Sequence, residues 1–234
     1  MNNQYPPQQL PSQVGMRPPA ALAAAFLTQA FIWMFSGLLL TAGVAAAVQG
    51  SKGLLAFAAD GFLLIVIAQF ILVMVISSAI SRIGATVALG LFFVYAASIG
   101  LTVGVIVQLY TGASVVSAFL SASAMFGGAA LYGAVTKRSL AGIGGYLTMG
   151  IFGLVIASLV NMFLGSGPIG FVISAIGVVI FTALTAYDVQ RISAGDLAAR
   201  LGSMEKAAVV GALQLYLDFI NLFLFMLRLM GSRR

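Results

Sequence analysis

The chain has 234 residues, of which 62% are hydrophobic and 7% charged, with a formal net charge of +6. Soluble domains carry about 25% charged residues, so this composition excludes an ordinary soluble fold and points to a polytopic helical membrane protein. There is no Cys and no His, which removes disulfides, zinc centres, haem ligation by His and Ser-His catalysis from consideration. The positive charge reflects a scarcity of acids, which are only Asp60, Asp188, Asp196, Glu205 and Asp218. The basic residues stand mostly singly between apolar runs, the pattern of topology determinants and not of a nucleic-acid surface.

Residues 1–19 hold five of the six prolines together with many Gln and Asn. Such a stretch cannot bury a core, and it lacks the basic start and apolar centre of a cleavable signal. It reads as a disordered tail over 1–20, followed by a transmembrane domain over 21–231.

Seven apolar stretches follow. The first runs from about Ala21 to Val48, with Gln29 and Trp33 as its polar or amphipathic exceptions. The second is expected from Ala58 to Ile80, opening on Asp60, whose charge would favour the helix dipole there. The third, Ala85 to Leu109, contains Gly100 and Gly104 at a spacing that permits close helix contact. The fourth spans Ala113 to Val135. The fifth spans Leu140 to Leu164, and its glycines (Gly142, Gly144, Gly145, Gly150) lack both GxGxxG spacing and a preceding strand, so they read as packing positions. Gly165-Ser-Gly-Pro168 is a turn, with Pro168 suited to the start of the sixth helix. That helix ends near Ile192, and 193–206 reads as a polar loop. The seventh helix ends near Met230.

Lys and Arg set the orientation. Arg17, Arg82, Lys137, Arg138, Arg191, Arg200 and Lys206 fall on one side, which puts the N-terminus in the cytoplasm. Arg228, Arg233 and Arg234 break the pattern. The last helix either crosses fully or enters and returns; it has enough residues to span, and crossing is the expectation.

Two acids remain in apolar surroundings. Asp218 lies within LQLYLDFINLFLFMLRLM, about a dozen residues into the last helix, and Asp188 lies in TALTAYDVQRI at the end of the sixth. A carboxylate in lipid costs several kcal/mol and persists only with a partner, a proton or water. Asp188 alone reads as an interfacial acid paired with Arg191 three residues on. Asp218 alone reads as polar glue through Asn221 or Tyr216. Together, on consecutive helices and each near a Tyr (Tyr187, Tyr216), they read as one site. Two carboxylates a few ångströms apart in low dielectric cannot both ionise cheaply, so they titrate as a unit. Doubly ionised, the pair attracts a hard divalent cation. With at most four oxygens against the roughly 6–8 that Ca2+ prefers, it would bind weakly.

TAYDVQRI, YLDFINLFLFMLRLM and SRIGATVALGLFFVYAASIGLTV resemble the transmembrane Bax-inhibitor-motif family. The likeness covers nearly all of the chain after the tail. It implies an all-α integral membrane fold, a seven-transmembrane-helix bundle with the last helix central and wrapped by the other six. It also implies a pH-sensitive calcium leak in which Asp188 and Asp218 form a hydrogen-bonded latch, with Arg82 as the basic partner of Asp188 in the open form. Some relatives have a Glu where Ser117 stands here, which puts a cation route through that position in question.

The expected neighbours of the pair are Tyr187, Arg191, Tyr216 and Asn221. No cofactor is expected beyond Ca2+ as a permeant or weakly bound ion, and the partners are the lipid bilayer, Ca2+ and protons. The expected location is a bacterial cytoplasmic membrane. Two other readings compete. One is a non-transporting regulator of membrane-protein partners, such as a membrane protease. The other is an intramembrane aspartyl protease, but Leu215-Tyr-Leu-Asp218 lacks that class's GxGD motif and no Pro-Ala-Leu follows, so no enzyme is expected.

Overall fold

Lipid offers backbone N–H and C=O groups no partners, so a chain this apolar satisfies them within helices. The computed structural model describes residues 20–233, with side chains from residue 24; the expected disordered tail lies outside the described residues. The helices are α1 (Ala20–Gly50), α2 (Lys52–Asp60), α3 (Phe62–Ala79), α4 (Ala85–Val107), α5 (Gly112–Val135), α6 (Gly144–Leu164, preceded by a 3-10 turn, Ala141–Ile143), α7 (Gly167–Ser193), α8 (Asp196–Leu201) and α9 (Met204–Met230). Among the described residues seven of them, all but α2 and α8, are long and apolar enough to cross a membrane. The fold is an all-α membrane bundle.

Two segments differ from the sequence expectation. The second apolar run is not one helix from 58 to 80. It breaks at Gly61, whose N–H bonds the Phe57 carbonyl at 3.0 Å and ends α2. Ser51 caps α2 by accepting the Leu54 N–H at 3.4 Å. Nine residues span about 13 Å, too short to cross, so α2 is an additional short helix. Asp60 therefore ends α2 as well as preceding α3. The polar stretch 193–206 is not all loop either. Gly195 (φ 74°) and Gly202 (φ 62°) take left-handed conformations at either end of α8. Leu197 and Ala198 are buried beneath it, and Asp196 and Arg200 suit its dipole. Its amphipathicity is too short to show as a period.

The bundle is layered. α9 is the most buried span, with 61% of its apolar window inside, against 50% for α4 and α7 and 11% for α3 and α6. α9 packs on α1, α4, α5 and α7, while α3 packs mainly on α4 and α6 mainly on α7. Four spans thus make its principal wall, and two lie outside that wall.

Close approach is achieved by glycine. A Cβ on Gly100 would come within 2.6 Å of Val44 Cβ, and one on Gly104 within 2.7 Å of Val48 Cβ, so the predicted small-residue pair is the α1–α4 contact. Buried hydrogen bonds pin the layers. Thr41 on α1 donates to the Ala96 carbonyl on α4 at 2.8 Å and lies 2.6 Å from the Tyr216 hydroxyl on α9. Gln69 Nε2 on α3 donates to Thr102 Oγ1 on α4 at 2.8 Å.

The end of α9 decides between crossing and returning. The Thr111 N–H donates to the Ser232 carbonyl at 3.1 Å, and the Ser232 N–H donates to Ser114 Oγ at 2.9 Å. At the other end Lys206 Nζ donates to the Ser81 carbonyl at 3.1 Å. α9 therefore runs from the α3–α4 turn to the α4–α5 turn, the full length of α4, about 40 Å for its 27 residues. It crosses.

Candidate functional site

Asp188 is placed by α7. That helix starts at Ser166, whose Oγ accepts the Ile169 N–H at 3.4 Å, and Pro168 stands in its first turn. It continues unbroken to Ser193, leaving Asp188 in the last two turns. Asp218 is placed by α9, which starts at the Ser203 cap, so Asp218 lies ~21 Å along it. Contacts across the seam fix the antiparallel register. A Cβ on Gly211 would meet Ile192, and one on Gly177 would meet Phe225. Between those two contacts Asp188 comes level with the Gln214–Asp218 turn of α9.

Both carboxyls are buried, Asp188 being 7% and Asp218 4% exposed. The helices that carry them, α7 and α9, pack directly on each other. The partners of the two carboxyls are unequal. Arg191 Nη1 lies 3.7 Å from Asp188 Oδ1, a loose pair, and its guanidinium also sits 5.2 Å from the centre of the Tyr187 ring. No donor among the described residues reaches Asp218 Oδ2. Gln190, beside Asp188, bonds the α5–α6 connection, accepting the Leu140 N–H at 2.7 Å and donating to the Arg138 carbonyl at 2.8 Å.

The expected neighbours divide. Tyr187 and Arg191 lie with Asp188. Tyr216 turns to Thr41, its ring 5.5 Å from Phe92 in an edge-on contact. Asn221 donates to the Leu217 carbonyl of its own helix at 2.8 Å. Neither is the glue expected at Asp218. Arg82 is exposed in the α3–α4 turn; the guanidinium beside Asp188 here is that of Arg191. Ser117 is on the exposed face of α5.

Gln214 was not foreseen. It stands four residues before Asp218 on the same face of α9, and its Oε1 is buried with no partner. The i, i+4 spacing from Asp218 was the available signal. Two acids and an amide oxygen thus lie near one level of the α7–α9 seam, with one guanidinium beside Asp188. Such a set can exchange a proton with change of net charge, or present oxygens to a hard cation.

Residues 23–234 match the family described as "Inhibitor of apoptosis-promoting Bax1". The chain is 42% identical over 224 residues to the "Inner membrane protein YbhL" of Escherichia coli K12, covering 92% of this chain and 95% of that one. It is 44% identical over 214 residues to a protein of Borreliella burgdorferi, with 89% and 92% coverage. It is 42% identical over 209 residues to one of Deinococcus radiodurans, with 89% and 90% coverage. This multi-pass membrane protein belongs to the Bax1-inhibitor family.

Proposed function

We propose that this protein is a pH-sensitive calcium leak, with Asp188 and Asp218 as its proton and cation sensor. The observation that carries the reading is the unequal charge balance in the bundle: two buried carboxyls on helices that pack on each other, with one guanidinium held loosely by Asp188. The surrounding helices add no compensating charge. Over their described spans α1, α4 and α5 contain no Asp, Glu, Lys or Arg, and the cation beside the pair is Arg191 on Asp188. A proton gained or lost there changes the net charge of a desolvated site, which is the property a pH gate requires. Arg82, at the same end of the bundle, is the proposed partner of Asp188 when the path opens.

The full chain reconstituted in liposomes is expected to pass Ca2+ at a rate that varies with pH. Asp188→Asn and Asp218→Asn should each flatten that dependence and change the rate at neutral pH by roughly tenfold, the scale of one lost charge in a buried site. Rates and pH profiles identical in wild type and both variants would overturn the reading.

The proposed location is a bacterial cytoplasmic membrane with the N-terminus inside. YbhL is named an inner membrane protein, and the loops with most Lys and Arg share the N-terminal side. An N-terminal reporter active only in the cytoplasm should be active and a C-terminal one silent. The reverse result would invert the orientation.

A further inference from the structure

The polar residues of α9 are not scattered. Gln214, Asp218, Asn221, Phe225 and Arg228 follow one another at spacings of four, three, four and three, a single line along the helix. Four of the five are polar or charged; the other polar residues of α9 are Glu205 and Lys206 in its first turn and Tyr216, which turns to Thr41. Asp218 is buried, Gln214 and Asn221 are half-buried, and Arg228 stands at the exposed end of the line; intramembrane polar residues on the packed side of a helix mark ion pathways. Phe225 is the one interruption, lying between the level of Asp218 and the end of the seam where Arg228 lies over Gly170.

The α7 surface opposite is shaped to receive it. A Cβ on Gly177 would come within 2.6 Å of Phe225 Cδ2 and Cε2, so the ring is seated on bare backbone. Phe181, buried on α7, lies beside it with ring centroids 5.8 Å apart and planes 35° apart. At this level the half-buried Phe225 and the buried Phe181 put only carbon between α7 and α9, while the levels on both sides carry polar atoms. An apolar layer of this kind blocks ions by excluding water, without any charge.

We propose that Phe225, seated on Gly177 and backed by Phe181, is the hydrophobic barrier of the ion path along the α7–α9 seam, in series with the Asp188–Asp218 pair. The proposal rests on the leak reading above. It assigns the two tasks to different residues: the acids sense, and the rings hold the path shut.

The test is Ca2+ entry into dye-loaded liposomes carrying the full chain, with elution and thermal midpoint in detergent recorded for every variant. Phe225→Ala should raise resting flux at least about fivefold, and Phe225→Asn further, because a polar side chain wets the layer. Phe225→Leu keeps the layer apolar and should stay within about twofold of wild type. Phe181→Ala opens the same layer from α7 and decides the matter if the Phe225 variants elute as aggregates. Resting flux unchanged in Phe225→Ala, Phe225→Asn and Phe181→Ala, while Asp218→Asn alters it, would overturn the barrier and leave the leak standing. Flux in Phe225→Leu as high as in Phe225→Ala would also overturn it. Flux indifferent to the acids and the rings alike would remove the leak reading itself.

Discussion

Gly133→Ala is expected to lower the thermal midpoint in detergent by roughly 4–8 °C, the shift that a net loss of about 2 kcal/mol produces in a protein of this size. Gly133 on α5 faces the backbone of α7 at Ala186. An added Cβ would overlap the Ala186 carbonyl oxygen and stand 2.9 Å from its Cα and carbonyl carbon. A clashing side chain can rotate away; a helix backbone cannot. α5 and α7 must therefore separate, and overpacking of this kind typically costs ~1–3 kcal/mol or more, beyond the ~1 kcal/mol that alanine returns in helix propensity. The same substitution at Gly128 meets nothing within 4 Å and should be neutral or slightly stabilising. Equal midpoints for the two variants would show that α5 does not press on α7 as described. Because Asp188 follows Ala186 by two residues, Gly133→Ala should also disturb the pH profile of flux, whereas Gly128→Ala should leave it intact.

Asp218→Leu should be more stable than the wild type by about 1–3 kcal/mol, the penalty of a buried polar atom left without a partner. Leucine carries no polar atom, and the neighbours along α9 are apolar and buried: Leu215, Phe219 and Leu222; its greater bulk costs part of that gain and sets the lower end of the range. The same change should abolish the pH response of the leak. A gain in stability joined to a loss of response is the signature of a group kept for function at a cost to the fold. Urea or thermal unfolding in matched detergent reads the first effect, and liposome flux the second. A variant less stable than the wild type would mean that Asp218 is satisfied in the native bundle, for instance by sharing a proton with Asp188. Asp188→Leu is the useful contrast. Asp188 has a basic partner, and Arg191 is 24% exposed, so its guanidinium can reach the aqueous boundary once released. Little stability should be gained or lost there.

How much of this was legible in the sequence depends on the physical range of each signal. An apolar run long enough to cross a bilayer is a property of consecutive residues, and so is an acid within it. The spans, the Gly165–Pro168 turn, the Gly100–Gly104 contact face and the presence of two acids, Asp188 and Asp218, in apolar helices were therefore readable. α2 and α8 were not. They depend on single glycines at Gly61, Gly195 and Gly202, where a break costs little and nothing in the neighbouring composition announces it. The side-chain partners were not readable either. Tyr216 is two residues from Asp218 in the chain, yet its hydroxyl goes to Thr41, because positions two apart on a helix face different neighbours.

By itself, the sequence determined that the chain is a seven-span helical membrane protein with two acids out of place. Only the tertiary structure decided that α9 runs the full length of the bundle, that Asp188 and the Gln214–Asp218 turn share one level, and that Phe225 sits on Gly177 beyond them. Span and hydropathy are set by local solvation, which every residue carries wherever it stands. Register is set by where two backbones can touch, at Gly177 against Phe225 and Gly211 against Ile192. Such a contact belongs to neither residue alone, so it exists only once the helices have met.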